Sequence, residues 1–460
     1  MRQYVSLRRV GAAFIETLLL MSCGPIGYFF HFNSFPSNID EYYYLLGQAL
    51  LIAVVFQFFL HLNDAYHFKE RQLSFKFIET LLCAVVLAIL ASYFIFFIVP
   101  WLTTKDGVFV WNLILAALFV LLWHTMIRVY LYVRPPHTKL LVFGSSNLAL
   151  STVEIVLDHP ELGIKIAGFV TDISNADDIS GVNAEVIGSF ADLPKLVEKH
   201  GVNHIIVGLT DSRKKLPTKE LLDLKTNGLL IETVEDFYER VTGKIPVENL
   251  RPSWLVFNSG FYISKYVFLL KRILSIFLSV VLLILTSPIL LLTMLAIKLD
   301  SKGPVFYKQK RVGRNGRVFK LVKFRSMRQD AEKETGPVWS TQENDNRVTR
   351  VGRFLRRARI DELPQIFNVL RGDMDMVGPR PERPFFVERL STEIPYYPLR
   401  HIVKPGITGW AQVNYGYASK LEHTVEKLQY DLFYIKNISL ALDLLVIFET
   451  IKTVLVRKGS

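Results

Sequence analysis

Five long apolar runs constrain this chain more than any other feature, because a backbone in hydrocarbon must satisfy its own hydrogen bonds and so must be helical. Four of them fall within the first 133 residues, at about Val10 to Phe32, Tyr42 to Leu62, Phe77 to Val99 and Val108 to Val129. At about 20 residues each, they match helices crossing ~30 Å of hydrocarbon. The first run is too long for a cleaved leader and three more follow it, so residues 1–136 are expected to form a four-helix transmembrane bundle. Arg2, Arg8 and Arg9 precede the first span, Lys69, Arg71 and Lys76 lie between the second and third, and Arg128, Arg134 and Lys139 follow the fourth. The other two loops hold Asp40, Glu41, Lys105 and Asp106. This asymmetry places both ends of the bundle in the cytoplasm. Glu16 lies inside the first span, either as a functional intramembrane acid or, the reading its position favours, as a side chain reaching the headgroup boundary.

From residue 137 to 242 the composition becomes that of a water-soluble α/β domain. Strands are expected at Lys139 to Phe143, Ile164 to Val170, His204 to Gly208 and Leu229 to Thr233, separated by helical patterns. The turn after the first strand reads Gly144-Ser145-Ser146-Asn147-Leu148-Ala149, a worn form of the glycine fingerprint that brings a pyrophosphate to a helix N-terminus. The second and third glycines are missing. A Rossmann-like scaffold without its dinucleotide is expected, although Asp172 is placed where a ribose contact would fall. Residues 243–264 read as a linker.

The fifth apolar run, Ile273 to Ile297, is flanked by Lys265, Lys271 and Arg272 before it and by Lys298, Lys302, Lys308, Lys310 and Arg311 after it. Both ends therefore favour the cytoplasm, which a re-entrant helix-break-helix satisfies and a single crossing does not. Ser287-Pro288 marks the break: proline removes a donor and bends the helix, and the serine hydroxyl can reach a freed carbonyl. A proline-kinked span remains the competing topology.

Composition narrows the chemistry. Half of the 460 residues are hydrophobic, yet 54 Lys plus Arg outweigh 42 Asp plus Glu for a net charge of +12. A basic excess on so apolar a chain suits anionic headgroups or phosphorylated substrates, not nucleic acid. Cys23 and Cys83 both sit in apolar runs, so neither a disulfide framework nor a cysteine metal site can be built. The charge is concentrated: Lys298 to Ile360 holds 18 Lys plus Arg against 6 Asp plus Glu, which equals the excess of the entire chain. Gly303-Pro304-Val305-Phe306-Tyr307-Lys308-Gln309-Lys310-Arg311-Val312-Gly313 and Lys323-Phe324-Arg325-Ser326-Met327 form a plausible phosphate cradle. Arg353, Arg356, Arg357 and Arg359, interleaved with Phe354, Leu355 and Ile360, read as an interfacial helix. It leads into Asp361-Glu362-Leu363-Pro364-Gln365. In that setting one carboxylate can hold Mg²⁺ against a diphosphate while the other attacks phosphorus.

Six motifs now stand in order: Ser287-Pro288 in an apolar hairpin, Gly303 to Gly313, Lys323 to Met327, Asp361 to Gln365, Val377-Gly378-Pro379-Arg380-Pro381-Glu382, and Lys404-Pro405-Gly406-Ile407-Thr408-Gly409-Trp410. Together they resemble the monotopic bacterial phosphoglycosyl transferases, or polyprenyl-phosphate sugar phosphotransferases, over about residues 265 to 455. The four-span bundle and worn α/β domain resemble the large form that initiates exopolysaccharide or O-antigen assembly, and Gly243 to Leu250 resembles the exopolysaccharide branch. The resemblance implies a C-terminal α/β catalytic domain, residues 265–460, in which a UDP-sugar gives its sugar 1-phosphate to undecaprenyl phosphate and UMP is released. It assigns Asp361 as nucleophile of a ping-pong reaction and Glu362 as Mg²⁺ ligand. It places Lys323, Arg325, Arg356, Pro379, Arg380 and Pro381 among the substrate-phosphate and nucleotide contacts. Asp443 matches a further family acid and joins that substrate-binding set, with surface placement on an amphipathic helix as the alternative. It also implies a homodimer in the bacterial inner membrane, with the catalytic domain on the cytoplasmic face. One departure stands out: where some members carry an Arg after the Trp-Ala-Gln-Val-Asn run, this chain has Asn414-Tyr415-Gly416-Tyr417, so no phosphate contact transfers there.

A membrane-tethered nucleotide-sugar dehydratase has a similar outline but needs Tyr-x-x-x-Lys for proton abstraction, and no tyrosine here has a lysine four residues later. A non-catalytic scaffold of polysaccharide assembly is the remaining alternative.

Overall fold

The structure, a computed structural model, describes residues 2–63, 65–66, 75–99, 106–133, 138–171, 185–209, 216–250, 254–255, 259–261, 264–328, 347–415 and 421–455. Asp172, Lys69, Arg71, Arg134, Gly416 and Tyr417 lie outside these residues. The chain divides into two compact units, Met1–Thr242 and Gly243–Ser460.

The first unit opens with four helices, α1 (Arg2–Phe32), α2 (Ile39–Leu62), α3 (Phe75–Ile98) and α4 (Asp106–Val133). All four are long and apolar enough to cross a membrane. Small residues where they meet, such as Ala53, Ala84, Ala88 and Ala116, are buried, whereas Phe14, Leu90, Phe97 and Leu122 point outward. With lipid tails as apolar as leucine, close approach and polar contacts hold such helices together. Gln57 Nε2 accordingly donates to the Ala13 carbonyl at 2.8 Å and to Thr17 Oγ1 at 2.7 Å. Glu16 departs from the sequence expectation. It is only 1% exposed, and its Oε2 accepts from the Tyr66 hydroxyl at 2.5 Å. His124 Nε2 lies 3.5 Å from its other oxygen. The acid turns into the bundle because Tyr66 and His124 offer polar partners that the hydrocarbon side lacks.

The same unit continues as β1 (Thr138–Phe143), α5 (Asn147–Asp158), β2 (Ile164–Val170), β3 (Val186–Gly188), α6 (Leu193–His200), β4 (His204–Val207), α7 (Thr218–Thr226), β5 (Leu230–Thr233) and α8 (Val234–Thr242). The strands form one parallel sheet in the order β3-β2-β1-β4-β5. That order is the Rossmann arrangement. Its central strands are buried on both faces, which explains the unbroken run Leu140-Leu141-Val142-Phe143. At the worn glycine turn, the Ser146 N–H donates to the Gly208 carbonyl at 3.0 Å and Ser146 Oγ accepts from the Ala149 N–H at 3.3 Å. These donors of the α5 N-terminus are thus spent on the protein itself.

In the second unit, α9 (Lys265–Asp300) is a helix of 36 residues, about 54 Å of rise if straight. It is the fifth helix apolar and long enough to cross a membrane. The backbone stays helical through Ser287-Pro288, so no gap divides α9 into two helices. Pro288 frees the Ile284 carbonyl, and Ser287 Oγ donates to that carbonyl at 2.8 Å. Beyond it come the antiparallel hairpin β6 (Phe306–Val312) and β7 (Val318–Phe324), α10 (Arg350–Arg357), α11 (Ile366–Arg371), β8 (Asp375–Val377), α12 (Pro384–Glu393), β9 (Gly406–Thr408), α13 (Trp410–Asn414), α14 (Leu421–Lys436) and α15 (Leu440–Leu455). Asn315 and Gly316 turn the hairpin with positive φ of 55° and 76°, as this residue pair favours. Strands β8 and β9 form a short parallel pair. The segment read as a linker is not one throughout, because Ile245, Val247 and Leu250 enter the core formed by Val377, Leu390, Trp410 and Phe433.

Candidate active site

Asp361 and Glu362 lie on a 3₁₀ turn, Ile360–Gln365, between α10 and α11. Thr349 caps α10 by accepting the Gly352 N–H at 2.9 Å. Gly352 itself must be glycine, since a Cβ there would stand 2.0 Å from the Ser326 carbonyl oxygen. At the other end of α10, Arg359 is forced to φ 56°. A left-handed residue with a large side chain costs about 1–2 kcal/mol and needs surroundings that over-determine it. The surroundings here are the buried Leu355 below, and Ile366 and Val369 beyond. Val369 packs on Leu321 of β7 and on Met374. Asn368 fixes the register: its Oδ1 accepts the Val322 N–H at 2.9 Å and its Nδ2 donates to the Lys320 carbonyl at 2.8 Å. Lys323, one residue on, is thereby aimed at the carboxylates.

Lys323 Nζ donates to Glu362 Oε1 at 2.7 Å. Arg380 reaches the same carboxylate with two nitrogens, NH2 at 2.6 Å to Oε1 and NH1 at 3.3 Å to Oε2. The turn carrying Arg380 is gripped along its backbone. The Pro379 carbonyl accepts from the Gly406 N–H at 3.0 Å, that of Arg380 from Arg400 at 3.1 Å and that of Pro381 from Arg311 at 2.9 Å. Pro379 and Pro381 are both buried and contribute this shape. Arg400 is held in turn by Asp431 at 2.7 Å and the Tyr397 hydroxyl at 2.7 Å.

The two adjacent acids are in opposite electrostatic states. Asp361 is 8% exposed, and among the described residues no side chain hydrogen-bonds its carboxylate. Burial raises its pKa to about 6, with Glu362 adding to the rise while Lys323, Arg356 and Arg380 oppose it. Burial pushes Glu362 up as well, but Arg380 and Lys323 outweigh it and hold that carboxyl well below the usual range. Burial also lowers Lys323, against the pull of Glu362. At neutral pH the site therefore presents one clamped anion and one anion that no described side chain hydrogen-bonds, poised close to its protonation point.

Of the residues expected here, the structure brings together Asp361, Glu362, Lys323, Arg356 and Arg380. Two others serve different ends. Arg325 lies just past β7 and is spent on the end of α9, donating to the Ser301 carbonyl at 2.7 Å and the Lys302 carbonyl at 3.0 Å. Asp443 is 2% exposed, so it is not a surface acid. Its oxygens accept from Lys271 at 2.8 Å and from Tyr434 at 2.6 Å, because the face of α15 that carries it packs inward. Asn368, Arg400, Asp431 and Lys271 support the site from outside the motifs that mark it in the sequence. Only Lys271-Arg272, a cation pair at the edge of an apolar run, left a signal in the sequence.

Asp361 and Glu362 offer oxygen donors of the kind a hard divalent cation such as Mg²⁺ takes. No group of three or more His, Cys, Asp or Glu side chains stands together among the described residues. Mg²⁺ takes one or two carboxylates and completes its shell with water and substrate phosphate, which a two-acid site satisfies. Among the described residues Glu362 Oε2 has a 3.3 Å contact from Arg380 and no shorter one, which makes it the more open oxygen of that carboxylate.

Helices long and apolar enough to cross a membrane, and a buried acid pair ringed by cations, are the arrangement of a membrane protein that can hold an anionic group. Comparison with known proteins makes this specific. The family model described as bacterial sugar transferase matches residues 266–457. The UDP-N-acetylgalactosamine-undecaprenyl-phosphate N-acetylgalactosaminephosphotransferase of Aeromonas hydrophila is 46% identical over 49% of this chain, and the match spans 52% of that relative. Proteins named UDP-glucose:undecaprenyl-phosphate glucose-1-phosphate transferase are 36% identical in Klebsiella pneumoniae, over 69% of this chain and 68% of theirs, and 35% in Escherichia coli, over 70% and 69%. The chain belongs to the bacterial sugar transferase family and is a transferase.

Proposed function

We propose that this protein transfers a sugar 1-phosphate from a UDP-sugar to undecaprenyl phosphate, as the first membrane step of exopolysaccharide or O-antigen synthesis. The unequal pair Asp361–Glu362 carries the reading, and the relatives' names supply the substrate class. Asp361 Oδ attacks the sugar-bearing phosphorus of the UDP-sugar, the bond to the bridging oxygen breaks, and UMP leaves with that oxygen. A phosphate oxygen of undecaprenyl phosphate then attacks the same phosphorus, releasing Asp361 and giving the diphosphate-linked lipid sugar. A pKa near 6 makes Asp361 a stronger nucleophile than an ordinary aspartate while leaving it mostly ionised at neutral pH. Glu362, fixed by Lys323 and Arg380, is the residue to hold Mg²⁺, which when bound would neutralise charge on the diphosphate. Lys323, Arg356 and Arg380 hold positive charge beside the reacting phosphoryl group.

The catalytic unit belongs on the cytoplasmic face of the inner membrane, with α9 entering and leaving on that side. Both ends of α9 pack on the same fold: Arg272 on the carbonyls of Val369 and Leu370, and Leu290 and Ile297 on Phe324 and Leu355. Purified protein incubated with a panel of UDP-sugars, Mg²⁺ and undecaprenyl phosphate should release UMP, and Asp361→Asn should not. Equal release by the variant, or none by the wild type, would overturn the proposal.

A further inference from the structure

Lys271 is a buried cation of the second unit with no donor to spare. It is 2% exposed, and its Nζ donates to the Val377 carbonyl at 2.7 Å, the Tyr434 hydroxyl at 2.5 Å and Asp443 Oδ2 at 2.8 Å. An ammonium has three donors, and all three are used. The next residue, Arg272, donates from NH1 to the Val369 carbonyl at 2.6 Å and from NH2 to the Leu370 carbonyl at 3.0 Å. Successive residues of a helix point about 100° apart, so one turn of α9 grips two separate pieces of chain.

Those two pieces are the arms of the candidate active site. Val377 ends β8, three residues before Arg380. Val369 and Leu370 close α11, the helix that continues directly from the Asp361–Glu362 turn. The arms meet where Arg380 NH2 lies 2.6 Å from Glu362 Oε1. Stability alone is a poor reason to bury such a pair, because replacing a buried ion pair with apolar side chains is often neutral or stabilising.

We propose that Lys271 and Arg272 are positioning residues that fix Arg380 against Glu362 through the backbone of β8 and α11, so that the seating of the membrane helix α9 sets the geometry of the catalytic pair. The inference rests on the reading of Asp361 and Glu362 given above. It adds that the membrane helix is part of the catalytic machinery as well as its anchor. The 3.3 Å contact from Tyr434 to the Val377 carbonyl is too long to replace the ammonium in this role.

Lys271→Met alone would strand a buried Asp443 carboxylate, so the informative variant is Lys271→Met with Asp443→Leu, beside Lys271→Arg as the conservative rescue. The first readout needs no turnover: thermal unfolding of the full-length protein in detergent, in a cycle with Glu362→Gln. If α9 holds Arg380 on Glu362, the Glu362→Gln loss in Tm is smaller in the apolar-pair background, with non-additivity of about 2 °C or more. The second is UMP release per folded enzyme at about pH 7.5, with the folded fraction measured by size-exclusion chromatography. If Arg380 is displaced from Glu362, kcat per folded enzyme falls at least about tenfold, whereas mere loss of folded enzyme leaves that value unchanged. Lys271→Arg should restore part of both. Additive Tm losses, or an unreduced kcat per folded enzyme, overturn the proposal. A wild type that releases no UMP refutes the proposed reaction instead and leaves the Tm cycle to decide this inference.

Discussion

Replacing Asp361 by Asn should stabilise the protein, although it removes the residue assigned as nucleophile. In the native state burial raises the Asp361 pKa from 3.8 to about 6. In the unfolded chain it returns to the ordinary value. A rise of about two units corresponds to roughly 3 kcal/mol at ~1.4 kcal/mol per unit. The sign follows from proton counting. Below about pH 4 both states are protonated and no penalty exists; between about pH 4 and 6 the unfolded state ionises first and stability is lost; above about pH 6 the penalty is constant. Asparagine is neutral throughout, so the advantage of Asp361→Asn should grow from zero near pH 4 to a plateau of about 1–3 kcal/mol above pH 6. The lower bound allows for relaxation around the carboxylate. At roughly 2–4 °C per kcal/mol for a unit of about 200 residues, Tm at pH 7.5 should rise by about 2–12 °C. Thermal unfolding of both proteins in the same detergent from pH 4 to 8 measures this directly. A variant less stable than wild type at pH 7.5, or a difference that does not change with pH, would refute the burial argument.

The neighbouring acid should behave oppositely. Glu362→Gln strands Lys323 and Arg380 and should cost about 3 kcal/mol at neutral pH, a loss that shrinks as acid protonates the wild-type carboxyl, read by the same thermal scans. The kcat/KM profile of UMP release should show an acidic limb near pH 6, and Lys323→Met, which removes a charge favouring ionised Asp361, should move that limb upward. Gly352→Ala should destabilise by about 1–3 kcal/mol without altering the limb, because its new methyl meets the Ser326 carbonyl.

The helices, the parallel sheet and the acid pair were legible in the sequence because each rests on a local pattern. A 20-residue apolar run, a β-branched stretch bounded by turn residues, and Asp361-Glu362 among cations can all be read within a short window. Lys323 and Arg380 could be named, but their common partner could not, since 57 residues separate them and only the fold brings both to Glu362. Arg325 misled because a cation beside Lys323 looks the same whether it faces a phosphate or, as here, the end of α9. Glu16 misled, and Asp443 stayed divided between a substrate contact and a surface acid, for one shared reason. A lone acid in an apolar pattern carries no sign of its partner, and the partners, Tyr66 for one and Lys271 for the other, lie 50 and 172 residues away.

The central claim is that Asp361 attacks phosphorus and carries the sugar phosphate. Intact-protein mass spectrometry after incubation with a UDP-sugar and Mg²⁺, with undecaprenyl phosphate left out, tests it most directly. The account predicts a species heavier by one sugar phosphate, matched by released UMP, mapped to Asp361, discharged on adding undecaprenyl phosphate and absent in Asp361→Asn. An enzyme that turns over with the lipid present, yet forms no adduct and releases no UMP without it, would contradict the claim.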